Sequence, residues 1–102
     1  MVGVCESLVY GHKAGLDLNK MINLLSKGAA NSFSLEKLAP RMLRRDFEPG
    51  FYVEHFIKDL GIAIEESRRM KIGLPGLALA SSLYQTLAAQ GLERKGTQSL
   101  LL

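Results

Sequence analysis

The stretch Tyr52-Val53-Glu54-His55-Phe56-Ile57-Lys58-Asp59-Leu60-Gly61-Ile62-Ala63-Ile64-Glu65-Glu66-Ser67-Arg68-Arg69-Met70 decides the fold class. Val53, Phe56, Ile57, Leu60 and Ile64 recur at intervals of three and four, while Glu54, Lys58, Glu65, Arg68 and Arg69 fall on other faces. That period is a helix with one buried stripe. Downstream, Gly73 is expected to end it, and Pro75 suits a first helical position because its missing N–H would be unpaired there anyway. Leu77, Leu79, Ala80, Leu83, Tyr84 and Leu87 then predict a further helix running to Gly91, and Thr97 is placed to cap one more.

Upstream, Arg44 to Gly50 brings charge, proline and glycine together and reads as a surface loop delivering Phe51 to the long helix. Ser34 to Leu43 reads as a short helix that Pro40 interrupts. Asp17 sits where an N-cap belongs, ahead of an apolar face of Leu18, Met21, Ile22 and Leu25 that runs to Gly28. The first helix spans Met1 to about Ala14 and stops at Gly15. No segment alternates apolar and polar residues over a strand's length. The expectation is an all-α, compact bundle of five to six helices.

The chain has 102 residues, 47% of them hydrophobic, which is the size of one domain and too small for a cofactor domain plus a substrate domain. Its net charge of +3 comes from interleaved signs with no basic block suited to a phosphate backbone, so no nucleic-acid partner is expected. The apolar runs are far shorter than the roughly 20 residues needed to cross a bilayer, so no membrane partner is expected either. A lone Cys5 excludes an internal disulfide and fits a reducing compartment, the cytoplasm or, in a eukaryote, the mitochondrial matrix. Val2, Val4 and Cys5 open the chain with no cap residue ahead of them, and Leu100-Leu101-Leu102 closes it. Both ends read as cuts in a longer polypeptide.

Tests for chemistry come back sparse. Gly73-Leu74-Pro75-Gly76 lacks the lysine and preceding strand of a phosphate loop. His12 and His55 are too distant for a helical metal pair, and His55 with Asp59 lacks a third ligand, so neither a metal nor a catalytic set is assigned. Lys58-Asp59 lies among apolar neighbours, which puts Lys58 either at the edge of a buried surface or on a solvated stripe paired with Glu54 one turn away. Phe51 is either a hydrophobic plug or a pocket wall.

The order and spacing of several short motifs do more. Gly11-His12-Lys13-Ala14-Gly15-Leu16-Asp17, Gly28-Ala29-Ala30, Pro40-Arg41-Met42, Arg45 to Phe51, His55 to Gly61, Leu74-Pro75 and Gly96-Thr97-Gln98 together resemble the C-terminal domain of the 3-hydroxyisobutyrate dehydrogenase family, the 6-phosphogluconate dehydrogenase-like β-hydroxyacid dehydrogenases. The resemblance covers nearly the whole chain. It implies a parent enzyme whose N-terminal Rossmann domain binds NAD or NADP, and whose general acid/base lysine stands at the start of an interdomain helix, upstream of Met1. Both are missing from these residues. It further implies that Lys58 reaches the nicotinamide end of the cofactor, while Phe51 and Asp59 border the substrate, a small 3-hydroxyacid or related semialdehyde. It also implies subunit contacts, in line with the surplus of Leu79, Leu83 and Leu87 beside Leu100 to Leu102, so a homo-oligomer is expected. The competing reading is a non-catalytic helical interaction or dimerisation module.

Overall fold

The computed structural model describes residues 1–102 and is all-α, with no sheet and one isolated antiparallel bridge between Tyr52 and Gly96. Five α-helices follow one another: α1 Val2–Lys13, α2 Leu18–Leu25, α3 Ala39–Leu43, α4 Val53–Arg69 and α5 Pro75–Ala89. A π-helical turn, Ser34–Leu38, leads directly into α3, and a 3₁₀ turn, Thr97–Leu101, closes the chain. No helix is long and apolar enough to cross a membrane.

Several boundaries follow from local chemistry. Gly15, at φ +79°, takes the left-handed turn after α1, and the Asp17 carboxylate caps α2 by accepting from the Lys20 N–H at 3.2 Å. α2 stops at Leu25, short of Gly28. Pro40 does not interrupt the third helical segment but sits inside its first α turn. The preceding turn widens so that the Ala39 N–H reaches back to the Ser34 carbonyl, which relieves the clash a proline ring makes with the turn before it. α4 ends at Arg69 with Met70 as its C-cap, ahead of Gly73: Lys71 adopts φ +58° and its successor Ile72 donates to the Ser67 carbonyl at 3.0 Å. A side chain in that region costs about 1 kcal/mol, which the hydrogen bonds of the Lys71 and Ile72 N–H groups to the Arg68 and Ser67 carbonyls offset. Gly96, not Thr97, stands at the cap position of the last turn, and no side chain caps it.

The interior has two parts. Cys5, Leu8, Ile22, Leu35, Leu38, Ala39 and Met42 join α1, α2 and α3, and Val53, Leu60, Tyr84 and Leu87 join α4 to α5. Met1 and Leu100 pack against both clusters, so the terminal turn stitches them together. At about 1.5–3 kcal/mol for each large apolar side chain fully buried, these contacts are what hold the two halves together. Gly11 permits the close crossing of α1 and α2, since a Cβ there would lie 2.8 Å from the Met21 Sδ. The molecule measures 44 × 30 × 22 Å, and its radius of gyration of 14.7 Å exceeds the roughly 13 Å of a tightly rounded chain of this length. The excess lies in the α4–α5 hairpin, where between Leu60 and Ser81 only Ser67 is buried.

Candidate functional site

The start of α4 has no capping side chain, yet its first N–H groups are not left open. The Val53 N–H donates to the Lys95 carbonyl at 2.9 Å and the Glu54 N–H to the Glu93 carbonyl at 2.9 Å. A segment forty residues downstream thus fixes where the helix begins. Arg94 reinforces the junction by reaching Glu54 Oε1 at 3.4 Å and lying 5.1 Å over the Tyr52 ring.

Along α4, a spacing of three and four places His55, Lys58, Asp59 and Ile62 on one face, and all four are exposed. Glu54 is engaged by Arg94 and lies 3.9 Å from His55, so the Glu54–Lys58 pair that would have marked an ordinary solvated stripe does not form. Neither Lys58 nor Asp59 has an ion-pair partner. Lys58 is exposed.

Phe51 stands just before this face. Its ring meets His55 and Phe56 edge-on at 6.2 Å each, and Phe56 in turn meets the buried Tyr84 at 4.9 Å. Tyr84 is locked by donating from its hydroxyl to the Thr97 carbonyl at 3.0 Å, and its burial pushes the phenol far above its usual range. Phe51 remains 43% exposed, anchored on His55 and Phe56 but not buried.

The loop that carries Phe51 is held by residues to which the sequence reading gave no role. Arg41 donates from Nε to Asp46 Oδ2 at 3.0 Å, and from Nη2 to Asp46 Oδ1 at 3.4 Å and to the Glu48 carbonyl at 2.7 Å. The guanidinium and the Glu48 N–H hold the Asp46 carboxyl below its ordinary value. From the opposite side, the buried Gln98 amide donates to the carbonyls of Asp46 and Glu48 at 3.3 and 2.9 Å. Gly96 is required here, because a Cβ would run into that amide. The signal for Arg41 was present as Phe33, Lys37 and Arg41, spaced by four, but Pro40 argued against a helix continuous enough to align them.

Phe33, Lys37, Arg41, Gly50, Phe51 and Thr97 border a hollow of about 300 Å³. A larger one, about 620 Å³, lies between α1 and the terminal turn at Cys5, Val9, Tyr10 and Leu101, away from Lys58. Lys58 and Asp59 line neither of these hollows. They form a flat face that can donate and accept hydrogen bonds but pairs no nucleophile with a base. For a dinucleotide the fit is partial: a free ammonium and a carboxylate suit ribose or amide groups, while the first N–H groups of α4 are already spent and cannot cradle a pyrophosphate.

An oxidoreductase of Bacillus subtilis is 56% identical over 100 residues, covering 98% of this chain and 35% of that protein. A probable mitochondrial 3-hydroxyisobutyrate dehydrogenase-like protein of Arabidopsis thaliana is 55% identical over 102 residues, covering all of this chain and 30% of its own. The chain thus spans about a third of the length of these curated relatives. A crystal structure of a 3-hydroxyisobutyrate dehydrogenase from Salmonella typhimurium has the same fold, with a TM-score of 0.89 at 21% identity over 98% of this chain and 35% of that one. The family model described as the NAD-binding domain of NADP-dependent 3-hydroxyisobutyrate dehydrogenase matches residues 1–102, and the chain belongs to that family.

Proposed function

We propose that the chain is the C-terminal, cleft-forming domain of an NAD(P)-dependent 3-hydroxyacid dehydrogenase, working against an N-terminal Rossmann domain of the same polypeptide. The observation that carries this reading is the face made by Phe51, Lys58 and Asp59: a cation and a carboxylate without ion-pair partners, beside a half-open aromatic ring. In a cleft, Lys58 donates hydrogen bonds to ribose or amide oxygens of the cofactor, Asp59 accepts from groups beside the substrate, and Phe51 keeps water from the reacting carbon. NAD or NADP, when bound, takes up or gives the hydride. The general acid/base is contributed from outside these 102 residues, and none of this chain's side chains is assigned that role.

In the full-length polypeptide, Lys58→Ala is expected to lower kcat/KM for the cofactor by about tenfold or more, the loss of one charge-assisted hydrogen bond, with the circular dichroism and melting temperature unchanged. Unchanged kinetics with 3-hydroxyacids would make Lys58 a solvated surface residue. Failure of every 3-hydroxyacid and semialdehyde to turn over would favour the interaction-module reading.

The same reading includes self-association, for which Leu79 and Leu102 of the expected leucines are exposed. Leu87 is buried in the α4–α5 core, Leu83 is half-buried and Leu100 packs against both clusters, so they offer no surplus apolar surface. Ile62, Met70, Ile72, Leu74 and Leu79 do, exposed along the projecting hairpin. Sedimentation of the full-length protein is expected to show a dimer or larger species that Leu79→Glu dissociates; a monomer at all concentrations would refute it.

A further inference from the structure

The hollow beside Phe51 has its own chemistry. Phe33, Lys37 and Arg41 follow one another at intervals of four and border it from the side of the π turn and α3, with Gly50 and Phe51 opposite. Two cations border it and no carboxylate does. Arg41 spends Nε and Nη2 on Asp46 and Glu48, which fixes the plane of its guanidinium, while Nη1 makes no hydrogen bond. That free nitrogen lies beside Gly50, 3.7 Å from where a Cβ would stand. Asp46 neutralises Arg41, but Lys37 has neither an ion-pair nor a hydrogen-bond partner, so the hollow retains an uncompensated positive charge. Thr97 also borders it. A π turn within a helix recurs at functional sites, and this one carries Lys37.

We propose that this groove is an oxyanion subsite, binding one carboxylate or phosphate group of a small ligand between Lys37 and Arg41 Nη1, against the ring of Phe51. About 300 Å³ accepts a small acid or one phosphate group, not a whole dinucleotide. The role of the subsite in turnover rests on the reading that Phe51 borders the cleft. Lys37 supplies the attraction and Arg41 the direction, because only the latter is held rigid by its neighbours.

Two sources carry that group, the acid function of the substrate and a phosphate of the cofactor, and kinetics of the full-length protein separate them. If the substrate supplies it, Lys37→Gln raises KM for the hydroxyacid about tenfold with a smaller effect on kcat, leaves KM for the cofactor alone, and is reversed by Lys37→Arg. If a cofactor phosphate supplies it, the rise falls on the cofactor instead. The binding test needs no activity: in ¹⁵N-labelled protein, malonate and inorganic phosphate are each titrated while the amide resonances of Gly50, Phe51 and Thr97 are followed. At least one probe is expected to give saturable shifts that weaken about tenfold in Lys37→Gln. Absence of saturable shifts with both probes, or shifts indifferent to Lys37→Gln, would overturn the subsite. If the shifts appear while Lys58→Ala leaves turnover unchanged, the subsite stands and the assignment of Lys58 falls.

Discussion

Asp46 shows how much one side chain governs near the candidate site. Its carboxylate takes hydrogen bonds from Arg41 and from the Glu48 N–H, and both hold its pKa below the ordinary 3.8. A carboxylate whose folded pKa is depressed stabilises the fold fully above its unfolded value, and the contribution is lost as pH falls through the folded one. Chemical denaturation at a series of pH values should therefore show a loss of stability below about pH 4 that is smaller in Asp46→Asn. The same substitution is expected to loosen Phe51, visible as line broadening of its ring protons, because Arg41 then loses the partner that orients it toward the Glu48 carbonyl. At Gly96 the outcome is steric: Gly96→Ala pushes into the buried Gln98 amide, and a cooperative loss of stability on thermal melting is expected.

At the scale of elements, glycines inside helices separate two roles. Gly61 lies in α4 with no atom within 4 Å of an added Cβ, so Gly61→Ala should raise stability by about 0.5–1 kcal/mol through helix propensity alone. Gly11 in α1 meets Met21 and Leu18 of α2, and there the same gain is offset by overpacking of about 1–3 kcal/mol, leaving Gly11→Ala neutral to destabilising. Equilibrium denaturation of both variants checks the sign of each. The start of α4 behaves differently from either. Its first N–H groups bond to the carbonyls of Glu93 and Lys95, so the register of the face bearing Lys58 depends on a segment far along the chain. No local motif announces such a cap, whereas Asp17 announces that of α2 from its residue type and position.

Over the whole molecule, stability is uneven. The base of the α4–α5 hairpin holds Val53, Leu60, Tyr84 and Leu87, while the far end buries only Ser67. Amide exchange in an unassociated form of the chain should therefore be faster for residues near Arg69 and Ala78 than for those near Leu60 and Leu87; uniform protection along the hairpin would contradict this. An arm that is apolar on the outside and thinly supported within is suited to gain order from a neighbour, which agrees with the proposed self-association.

The helices of this protein were legible in its sequence because amphipathic period, Asp17, Gly15 and Pro75 act locally, within a turn or two of the chain. Membership of the family was legible for a related reason, since motifs such as Pro49-Gly50-Phe51 and Lys58-Asp59-Leu60 keep their order and spacing along one dimension. The turn at Lys71 ahead of Gly73 and the widened turn before Pro40 are local too, but no residue type announces them; the tertiary structure alone decided that Leu87 is core and Leu79 is surface. It alone brought Gln98, Arg41 and Asp46 around the loop of Phe51 and left Lys37 without a partner. These outcomes depend on which distant group arrives to bury a side chain, satisfy an N–H or neutralise a charge, and that is a property of packing in three dimensions rather than of any stretch of residues.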